Sequence, residues 1–307
     1  MAEFSKEAGP GLIGFIGQTL TTGISSEMVA HLNEAIEARG LRGWHLLVCG
    51  AQNDPEKQLH YVETLQNHRV RGIILAPAVL DPYDRNVKTL MALRKAGLPF
   101  VLIERYVEQV DCDYVVSDNF KAGYIATRHL IDLGHKRIAF IDGAGVPSIR
   151  QRKEGYRTAL EENDLLYDPG LVIDSPDHTV RLDDERIEAV LKKGATAVFA
   201  YADYGAMEVI NWCISRGIRV PEDVGVVGVG DVRVALGPRP ILTTVQQDLA
   251  TMANRALGIL LGQIEGRLKE HIWQHEILDV RLVVRASCGA KSTTHHMMSE
   301  EMEVMSL

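Results

Sequence analysis

Short apolar runs alternate with amphipathic helical segments along almost the whole chain, at the spacing of about 30 residues that is typical of βαβ units. The first pair is residues 12–16 (LIGFI), which end at Gly17, and the helical pattern over residues 24–39, which Gly40 ends. Strands that are apolar on both faces are buried in parallel sheets. The alternation therefore predicts an α/β fold in which parallel sheets carry helices on both faces.

The pattern completes one run and then begins again around residues 129–143 (HLIDLGHKRIAFIDG). This stretch contains the end of a helix, a stop at Gly134 and a short apolar strand at residues 138–141. Because a second run of strand–helix units follows, we predict two doubly wound lobes. In open α/β sheets ligands bind at the carboxyl ends of the strands, so any binding site is expected between the lobes.

The individual elements follow from apolar periodicity and from turn residues. The predicted strands are residues 12–16, 44–49, 73–75, 100–103, 114–117, 138–141, 171–173, 197–201, 224–229, 273–278 and 281–284. The predicted helices are residues 24–39, 53–67, 85–96, 119–133, 150–163, 183–192, 206–216 and 249–266.

Charge and cysteine usage exclude several classes of protein. The net charge of −8 disfavours a chain that grips nucleic acid with its own surface, which requires a clustered basic face. The four cysteines form no C-x-x-C pair, which argues against a disulfide framework or a zinc site. No run of 18 apolar residues is present, so no membrane span is predicted. Residues 1–10 are interpreted as a leader or linker.

Several segments together resemble the effector-binding region of LacI/GalR-family transcriptional repressors, in that family's order over about residues 11–286. They read LIGFIGQ, QNDPEKQLHYVETLQNHRVRGIIL, AGLPFVLIER, SDNFKAGYIATRHLIDLGHKRIAFI, RQRKEGYRTAL, RVPEDVGVVG and PILTTVQQDLATMANRAL. The resemblance implies a periplasmic-binding-protein-like type I fold, with two doubly wound parallel-sheet lobes joined by three crossovers. The N-terminal lobe would comprise residues 11–117 plus 247–277, and the C-terminal lobe residues 118–246 plus 278–290. Residues 291–307 are predicted to be a disordered tail.

The resemblance also implies a function, namely sensing of a sugar or sugar-like effector that controls binding to operator DNA. The family reads DNA through an N-terminal helix-turn-helix, and the ten or so residues before Leu12 cannot hold one. Operator DNA is thus expected to bind only through a part outside this chain. A cytoplasmic homodimer without cofactor, metal or membrane contact is expected. A free-standing solute-binding protein shares the fold and remains the alternative.

Two charged residues match ligand contacts of the family. Arg150, at the start of the RQRKEGYRTAL helix, matches an arginine that grips ligand hydroxyls or carboxylates, and a guanidinium offers five fixed donors for that task. The other reading is a solvated arginine at a helix start. Glu104 follows the fourth strand where the family has an acidic contact, although a surface ion pair with Arg105 explains it equally well.

Two aspartates also match the family's motifs. Asp203 corresponds to the aspartate of its Asn-Asp pair, or alternatively caps a helix, and Ala202 replaces the asparagine. Asp231 keeps the second aspartate of the G-[FY]-D-D motif, while Gly230 replaces the first. Ala76 is a third small residue where some members have a polar one. We therefore expect a ligand poorer in hydroxyls than a simple sugar, or a larger one.

Five further residues are candidates from two loops. Gln18, Thr22 and Ser25 surround the start of the first helix, where backbone N–H groups could bind an anion and where Thr22 or Ser25 could instead act as an ordinary cap. Gln247 and Leu249 lie at the start of the last long helix. Gln247 is expected to contact ligand or to cap that helix, and Leu249 to form an apolar wall.

An enzymatic function finds little support in the sequence. Residues 225–231 (GVVGVGD) resemble a dinucleotide loop, which makes a nucleotide-dependent enzyme a remote alternative. The spacing is G-x-x-G-x-G and no helix follows, whereas the fingerprint requires G-x-G-x-x-G between a strand and a helix. His129 and His135 flank a helix stop and are interpreted as capping or surface groups. We predict no catalytic residues.

Overall fold

The fold is described from a computed structural model that covers residues 11–20, 23–78, 85–143, 146–175, 182–233, 237, 240–266 and 272–289. The strands are β1 (Leu12–Gly17), β2 (His45–Gly50), β3 (Gly72–Leu75), β4 (Phe100–Ile103), β5 (Tyr114–Ser117), β6 (Ile138–Gly143), β7 (Val172–Ser175), β8 (Ala197–Ala200), β9 (Gly225–Gly230), β10 (Thr243–Gln247), β11 (His275–Leu278) and β12 (Val280–Val283). The helices are α1 (Ile24–Ala38), α2 (Pro55–Asn67), α3 (Arg85–Lys95), α4 (Asn119–Asp132), α5 (Pro147–Glu161), α6 (Asp184–Lys192), α7 (Asp203–Ser215) and α8 (Leu249–Ile264).

Two six-stranded sheets organise the chain into two units. Unit 1 takes its described residues from the chain up to Asp118 and from Asp248–Asp279. Unit 2 takes its described residues from Asn119–Gln247 and from Val280 onwards. The chain therefore passes from one unit to the other three times, and neither unit is a continuous segment. This is the two-sheet α/β fold that the sequence predicts.

The sheet of unit 1 has the strand order β11-β5-β4-β3-β1-β2. All of its neighbouring pairs are parallel. The sheet of unit 2 has the order β12-β10-β9-β8-β6-β7, and only β12 runs antiparallel to its neighbour β10. Because the remaining strands of each sheet point the same way, their carboxyl ends lie along one edge of that sheet.

Helices cover both faces of the unit 1 sheet, and the alternation of side chains along the strands separates two cores. In β3, Ile74 packs with residues of α1 and α8, including Met28 and Leu260. Ile73 and Leu75 point to the opposite face and pack with residues of α2 and α3. Each of these side chains is fully or almost fully buried, which is why the strands read as unbroken apolar runs.

Unit 2 has the same layered arrangement, and its α4–α5 contact is unusually close. A methyl group at Gly123 of α4 would stand 1.9 Å from the Arg152 carbonyl oxygen, and one at Gly155 of α5 would stand 2.1 Å from the Phe120 carbonyl oxygen. Only glycine allows the two helix backbones to approach to this distance. Tyr156 then fills the adjoining core, with its hydroxyl donating to the Ile138 carbonyl oxygen at 2.8 Å.

Most predicted bounds agree with the structure to within one or two residues. The cap of α2 is confirmed, since Asp54 accepts from the N–H groups of Glu56 and Lys57 and Pro55 begins the helix. Two predicted helix starts are wrong. α5 begins at Pro147, not Arg150, and α7 begins at Asp203 rather than at residue 206. Proline has no N–H to leave unbonded in a first turn, which explains the earlier start of α5.

Strand β10 (Thr243–Gln247) was not predicted from the sequence. A 3-10 turn at Pro169–Leu171 precedes β7, which therefore begins later than predicted. The predicted leader or linker and the predicted tail lie outside the described residues. Among the described helices, none combines the length and the apolar character that a membrane span requires.

Candidate functional site

In unit 1 a buried polar network follows the carboxyl ends of β1 and β4. The Gln18 amide donates to Glu104 Oε2 at 3.3 Å, and Arg105 Nη2 donates to Gln18 Oε1 at 3.0 Å. Arg105 Nη1 also donates to the Pro77 carbonyl oxygen after β3, at 3.2 Å. Gln18 therefore bridges Glu104 and Arg105. A surface ion pair between these two residues was one of the two interpretations of the sequence. Glu104 is 8% exposed and has φ +64°, an uncommon conformation that fixes its direction.

The start of α1 differs from the predicted capping by Ser25. Gly23, with φ +80°, occupies the N-cap position and makes no side-chain cap. The hydroxyl of Ser25 instead accepts from the Gln18 N–H at 3.2 Å and is buried. The expectation that Ser25 caps the helix is thus wrong, because its hydroxyl fixes the end of β1. Thr22 lies outside the described residues.

In unit 2 the carboxylate of Asp203 is buried between β8, β9 and β10. Its Oδ2 accepts from the Val232 N–H at 3.0 Å, and its Oδ1 accepts from the Thr244 hydroxyl. The residue begins α7, but its side chain makes no helix cap. Gly228 and Gly230 leave room for it, since methyl groups there would stand 2.6 and 3.1 Å from its oxygen atoms.

The burial of Asp203 changes its acidity. Loss of water raises the pKa of Asp203 to about 6, while the hydrogen bonds from Thr244 and Val232 lower it. The nearby charge of Asp231 raises the pKa further. The dominant effect is desolvation, which disfavours the charged form of a carboxyl group.

Asp231 follows β9 and is held in an ion pair. Arg285 Nη2 donates to its Oδ1 at 2.6 Å, and the Gln246 amide donates to its Oδ2 at 2.8 Å. Arg285 also donates to the Leu242 carbonyl oxygen at 2.9 Å. Both carboxylate oxygens of Asp231 therefore have partners within unit 2, and this links the end of β9 to β10 and to the residues after β12.

Helix α5 brings two arginines to different environments. Arg150 lies in its first turns with an exposed side chain. Arg152 is buried, and its guanidinium donates to Asn119 Oδ1 at 2.9 Å and to the Tyr201 carbonyl oxygen at 2.5 Å. Arg152 therefore joins α5 to α4 and to the carboxyl end of β8.

Gln247 and Leu249 lie on either side of a boundary between the units. Gln247 is the last residue of β10 and belongs to unit 2. The expectation that it caps the following helix is wrong, because the N-cap residue is Asp248. Asp248 makes that cap, accepting from the Thr251 N–H at 2.9 Å. Leu249 is buried in the unit 1 core together with Met252 of α8. The expectation of a wall facing ligand remains a prediction for Leu249.

Arg152, Asn119 and Arg285 were missed by sequence reasoning. Arg152 is two residues from Arg150, and the family motif directed attention to the first. A signal was present nevertheless, since position 152 falls three residues before Gly155 on the same helical side as the buried residues. Arg285 is 54 residues from its partner Asp231 in the sequence. No sequence pattern around either residue predicts that the two side chains pair.

Two histidines of unit 2 lie close to polar side chains. His129 Nε2 lies 3.2 Å from Cys288 Sγ, and burial lowers the pKa of His129. His135 lies 3.0 Å from the Thr196 hydroxyl. Within the described ranges, no three His, Cys, Asp or Glu residues are grouped as a metal site would require. A cavity of 260 Å³ lies between α6 and α7. Another, of 250 Å³, lies beside Trp273 and is lined by Pro99 and Phe100 at the amino end of β4.

The sequence is similar to that of proteins whose class is known. Residues 127–288, more than half of the chain, match the family described as a periplasmic binding protein-like domain. The HTH-type transcriptional regulator DegA of Bacillus subtilis (strain 168) is 30% identical over 275 residues, which are 88% of this chain and 80% of DegA. The chain belongs to the LacI/GalR family of transcriptional regulators.

Solved structures of LacI/GalR-family regulators share the fold. The transcription regulator CcpA of Lactococcus lactis has a TM-score of 0.80 and 25% sequence identity, covering 91% of this chain and 100% of that one. The transcriptional regulator CelR in its cellobiose complex has a TM-score of 0.76 and 26% identity, covering 90% of this chain and 84% of that one. The described residues thus form the effector-sensing region of a LacI/GalR-family regulator.

Proposed function

We propose that this chain binds a carbohydrate or related small molecule at the carboxyl ends of its strands. The observation that carries the proposal is the position of the polar side chains. Gln18 and Glu104 follow strand ends in unit 1, and Asp203 and Asp231 follow strand ends in unit 2. In open α/β sheets this edge is where ligands bind. The cellobiose complex of the relative CelR supports a sugar-like ligand.

Ligand binding would act on DNA through a change in the balance of two conformations. A ligand shifts such a balance only if it binds the two conformations unequally. We propose that the favoured conformation sets the affinity of the regulator's helix-turn-helix for operator DNA. Residues 11–289 would contribute sensing and no DNA contact. The relative DegA is named an HTH-type transcriptional regulator, which supports DNA binding through a helix-turn-helix.

A homodimer acting in the cytoplasm is part of the same proposal. Ile214 on α7 is 63% exposed and Val48 on the edge strand β2 is 37% exposed. Large apolar side chains on an outer helix and an outer strand are suited to burial against a second copy. Replacing Ile214 with Asp should shift a sedimentation profile from dimer to monomer without changing the far-UV spectrum. A monomeric wild type would contradict the dimer.

We also propose that the chain is a sensor and not an enzyme. Membership of a family of transcriptional regulators supports this assignment. The side chains at the strand ends are engaged in hydrogen bonds that hold the fold, which suits recognition more than proton transfer. Incubating the protein with a bound sugar and recovering it unchanged by mass spectrometry would be the expected result, and any conversion would contradict it.

The Arg150 side chain offers the sharpest test of the site. Arg150→Ala should weaken effector binding in calorimetry about tenfold or more, the usual effect of removing a charged hydrogen bond. Arg157→Ala is the matched control, because Arg157 is exposed on the same helix α5 and stacks on Tyr167 instead. Equal effector affinity in wild type and Arg150→Ala would show that the site lies elsewhere.

A further inference from the structure

A small cavity of unit 1 lies at the amino end of β4, whereas Glu104 follows the carboxyl end of that strand. Its volume is 250 Å³. Pockets for small molecules enclose about 300–1,000 Å³, so this cavity is smaller than a typical ligand pocket. Most of its lining is apolar and comes from Leu98, Pro99, Phe100 and Trp273.

Two polar residues of the lining, Gln263 and Arg94, are bonded to the surrounding protein. The Gln263 amide donates to the Phe100 carbonyl oxygen at 3.1 Å. The Arg94 guanidinium donates to the Asp111 carbonyl oxygen, and its Cζ atom lies 5.0 Å from the ring centre of Trp273. A polar ligand would compete with these bonds, whereas an apolar group would leave them in place. The cavity therefore suits an apolar side chain.

Apolar surface beside the cavity is exposed to water. Trp273 is 36% exposed, and its neighbour Ile272 is 83% exposed. Two large apolar side chains that lie next to each other in this way are suited to contact with another protein segment. The cavity and these two residues form one surface, and a segment that reaches it gains both contacts.

The chain enters unit 1 at the same edge of the sheet. Strands β1 and β4 both pair with β3, which lies between them. They are therefore about 10 Å apart at the usual spacing of neighbouring strands. In this register Gly14, Ile73 and Phe100 are level with one another. The amino end of β1 thus lies at the same edge as the cavity.

Residues 1–10 (MAEFSKEAGP) precede that strand and lie outside the described part of the chain. They contain one aromatic residue, Phe4. Gly11 follows Phe4 by seven positions. Because an extended chain covers up to about 3.3 Å per residue, this length reaches about 23 Å. Phe4 can therefore reach the cavity with length to spare.

We propose that Phe4 of the same chain binds in the cavity, with its ring against Trp273. Aromatic rings attract each other when they pack offset or edge to face, and burial of Phe4 removes apolar surface from water. The charges agree, since Glu3 precedes Phe4 and the cations Arg94 and Lys95 are exposed beside the cavity. The bound segment would fix the direction in which the chain enters β1. The proposal does not depend on the effector site.

Disulfide trapping in the full chain tests whether Phe4 reaches the cavity. In a variant with Phe4→Cys and Leu98→Cys, mild oxidation should join the two new cysteines, and peptide mapping by mass spectrometry would identify the bond. The matched control carries Phe4→Cys and Met91→Cys, because Met91 is exposed on α3 but does not line the cavity. A disulfide forms only between residues whose Cα atoms approach to about 7 Å or less, so the control should form little of this bond.

The trapping experiment has three contrary outcomes. Equal bonding at Leu98 and Met91 would mean that the segment moves freely, and no bond at Leu98 would mean that it does not reach the cavity. A bond that joins two copies of the chain would assign the cavity to a second copy. Each of these results would overturn the proposal.

Fluorescence of the full chain provides a test with an unaltered cavity. Phe4→Ser should increase quenching of tryptophan fluorescence by acrylamide, because Trp273 loses its cover. Adding Trp273→Phe should remove that increase, since Trp44 and Trp212 are buried elsewhere. Ser5→Ala is the control within the same segment and should match the wild type. Equal quenching of the wild type and Phe4→Ser would overturn the proposal.

Discussion

Asp203 and Gly228 are in direct contact, and a methyl group at Gly228 would stand 2.6 Å from the Oδ1 atom of Asp203. Gly228→Ala would therefore displace a buried carboxylate that holds β9 and β10 together. We expect the free energy of unfolding to fall by about 1–3 kcal/mol, as for other overpacked cores. Urea denaturation followed by circular dichroism would measure it.

Gly205→Ala is the control for that change. A methyl group at Gly205 of α7 meets its nearest atom at 3.8 Å, an ordinary contact. Alanine also favours a helix over glycine by up to about 1 kcal/mol. Gly205→Ala should therefore be neutral or stabilising. If the two alanine variants had the same stability, the crowding of Asp203 by position 228 would be refuted.

The pH dependence of stability provides a second prediction. The pKa of Asp203 is raised from 3.8 to about 6 in the folded protein. A carboxyl group whose pKa rises on folding stabilises the folded state at low pH, and this contribution is lost as the pH rises through 6. Two pKa units correspond to roughly 3 kcal/mol. Asp203→Asn removes the titration, so the difference in unfolding free energy between variant and wild type should shift by that amount between about pH 4 and pH 7.

Urea denaturation of both proteins at constant ionic strength across this pH range would check the Asp203 prediction. The variant should gain stability relative to wild type as the pH rises, because only the wild type then carries a buried charge. Parallel pH profiles would mean that Asp203 titrates at its ordinary value and that its burial is compensated by its hydrogen bonds.

The crossing of α4 and α5 provides a third prediction. Gly123→Ala and Gly155→Ala each place a methyl group against a backbone carbonyl oxygen, which cannot rotate away. We expect each to lower the melting temperature strongly, through a loss of about 3 kcal/mol or more. Gly258→Ala in α8 is the control, since its methyl group would meet only the flexible Arg39 guanidinium, at 3.3 Å. A similar loss in Gly258→Ala would point to a general effect of helix glycines.

The Asp231–Arg285 ion pair provides a fourth prediction. The side chains are 11% and 19% exposed, so removing one leaves the other charged and largely buried. Asp231→Ala or Arg285→Ala should each cost roughly 3 kcal/mol of unfolding free energy. The double variant should lose less than the sum, because neither charge is then left alone. Additive losses in this cycle would argue against direct pairing.

The exposed pair Arg219–Asp223 serves as the comparison for Asp231 and Arg285. Its side chains are 67% and 39% exposed. Water can therefore solvate either charge when its partner is removed, so the pair contributes little to stability. Arg219→Ala should therefore leave the denaturation curve close to that of the wild type. A large effect there would show that the method cannot separate buried from surface ion pairs.

The alternation of strands and helices is readable from the sequence because burial on both faces forces unbroken apolar runs such as the one around Phe15. Helix boundaries are less readable. Helix α5 begins at Pro147, because proline is favoured in the first turn of a helix. The prediction had instead placed the start at Arg150. Propensity also gave no sign that Asp203 enters α7 while its side chain bonds to other strands.

The polar network was the least predictable part. The motif placed Asp231 at a strand end, which is correct, but its ion pair depends on a residue that only the folded sheet brings near. Gln18 and Glu104 are 86 residues apart and meet because β1 and β4 end at the same edge of one sheet. Local sequence identifies the strand ends, and tertiary structure alone decides which side chains there pair with each other.

The discontinuity of unit 1 has a consequence during protein synthesis. Helix α8 supplies Met252, Leu257 and Leu260 to the core around Phe15, yet it follows nearly all of unit 2 in the chain. A ribosome adds about 5–20 residues per second, so the part of this sheet face that α8 covers has no such cover while residues 119–247 are being made. Most of unit 1 is thus made before unit 2, yet its core is completed only after residues 249–264 have been added.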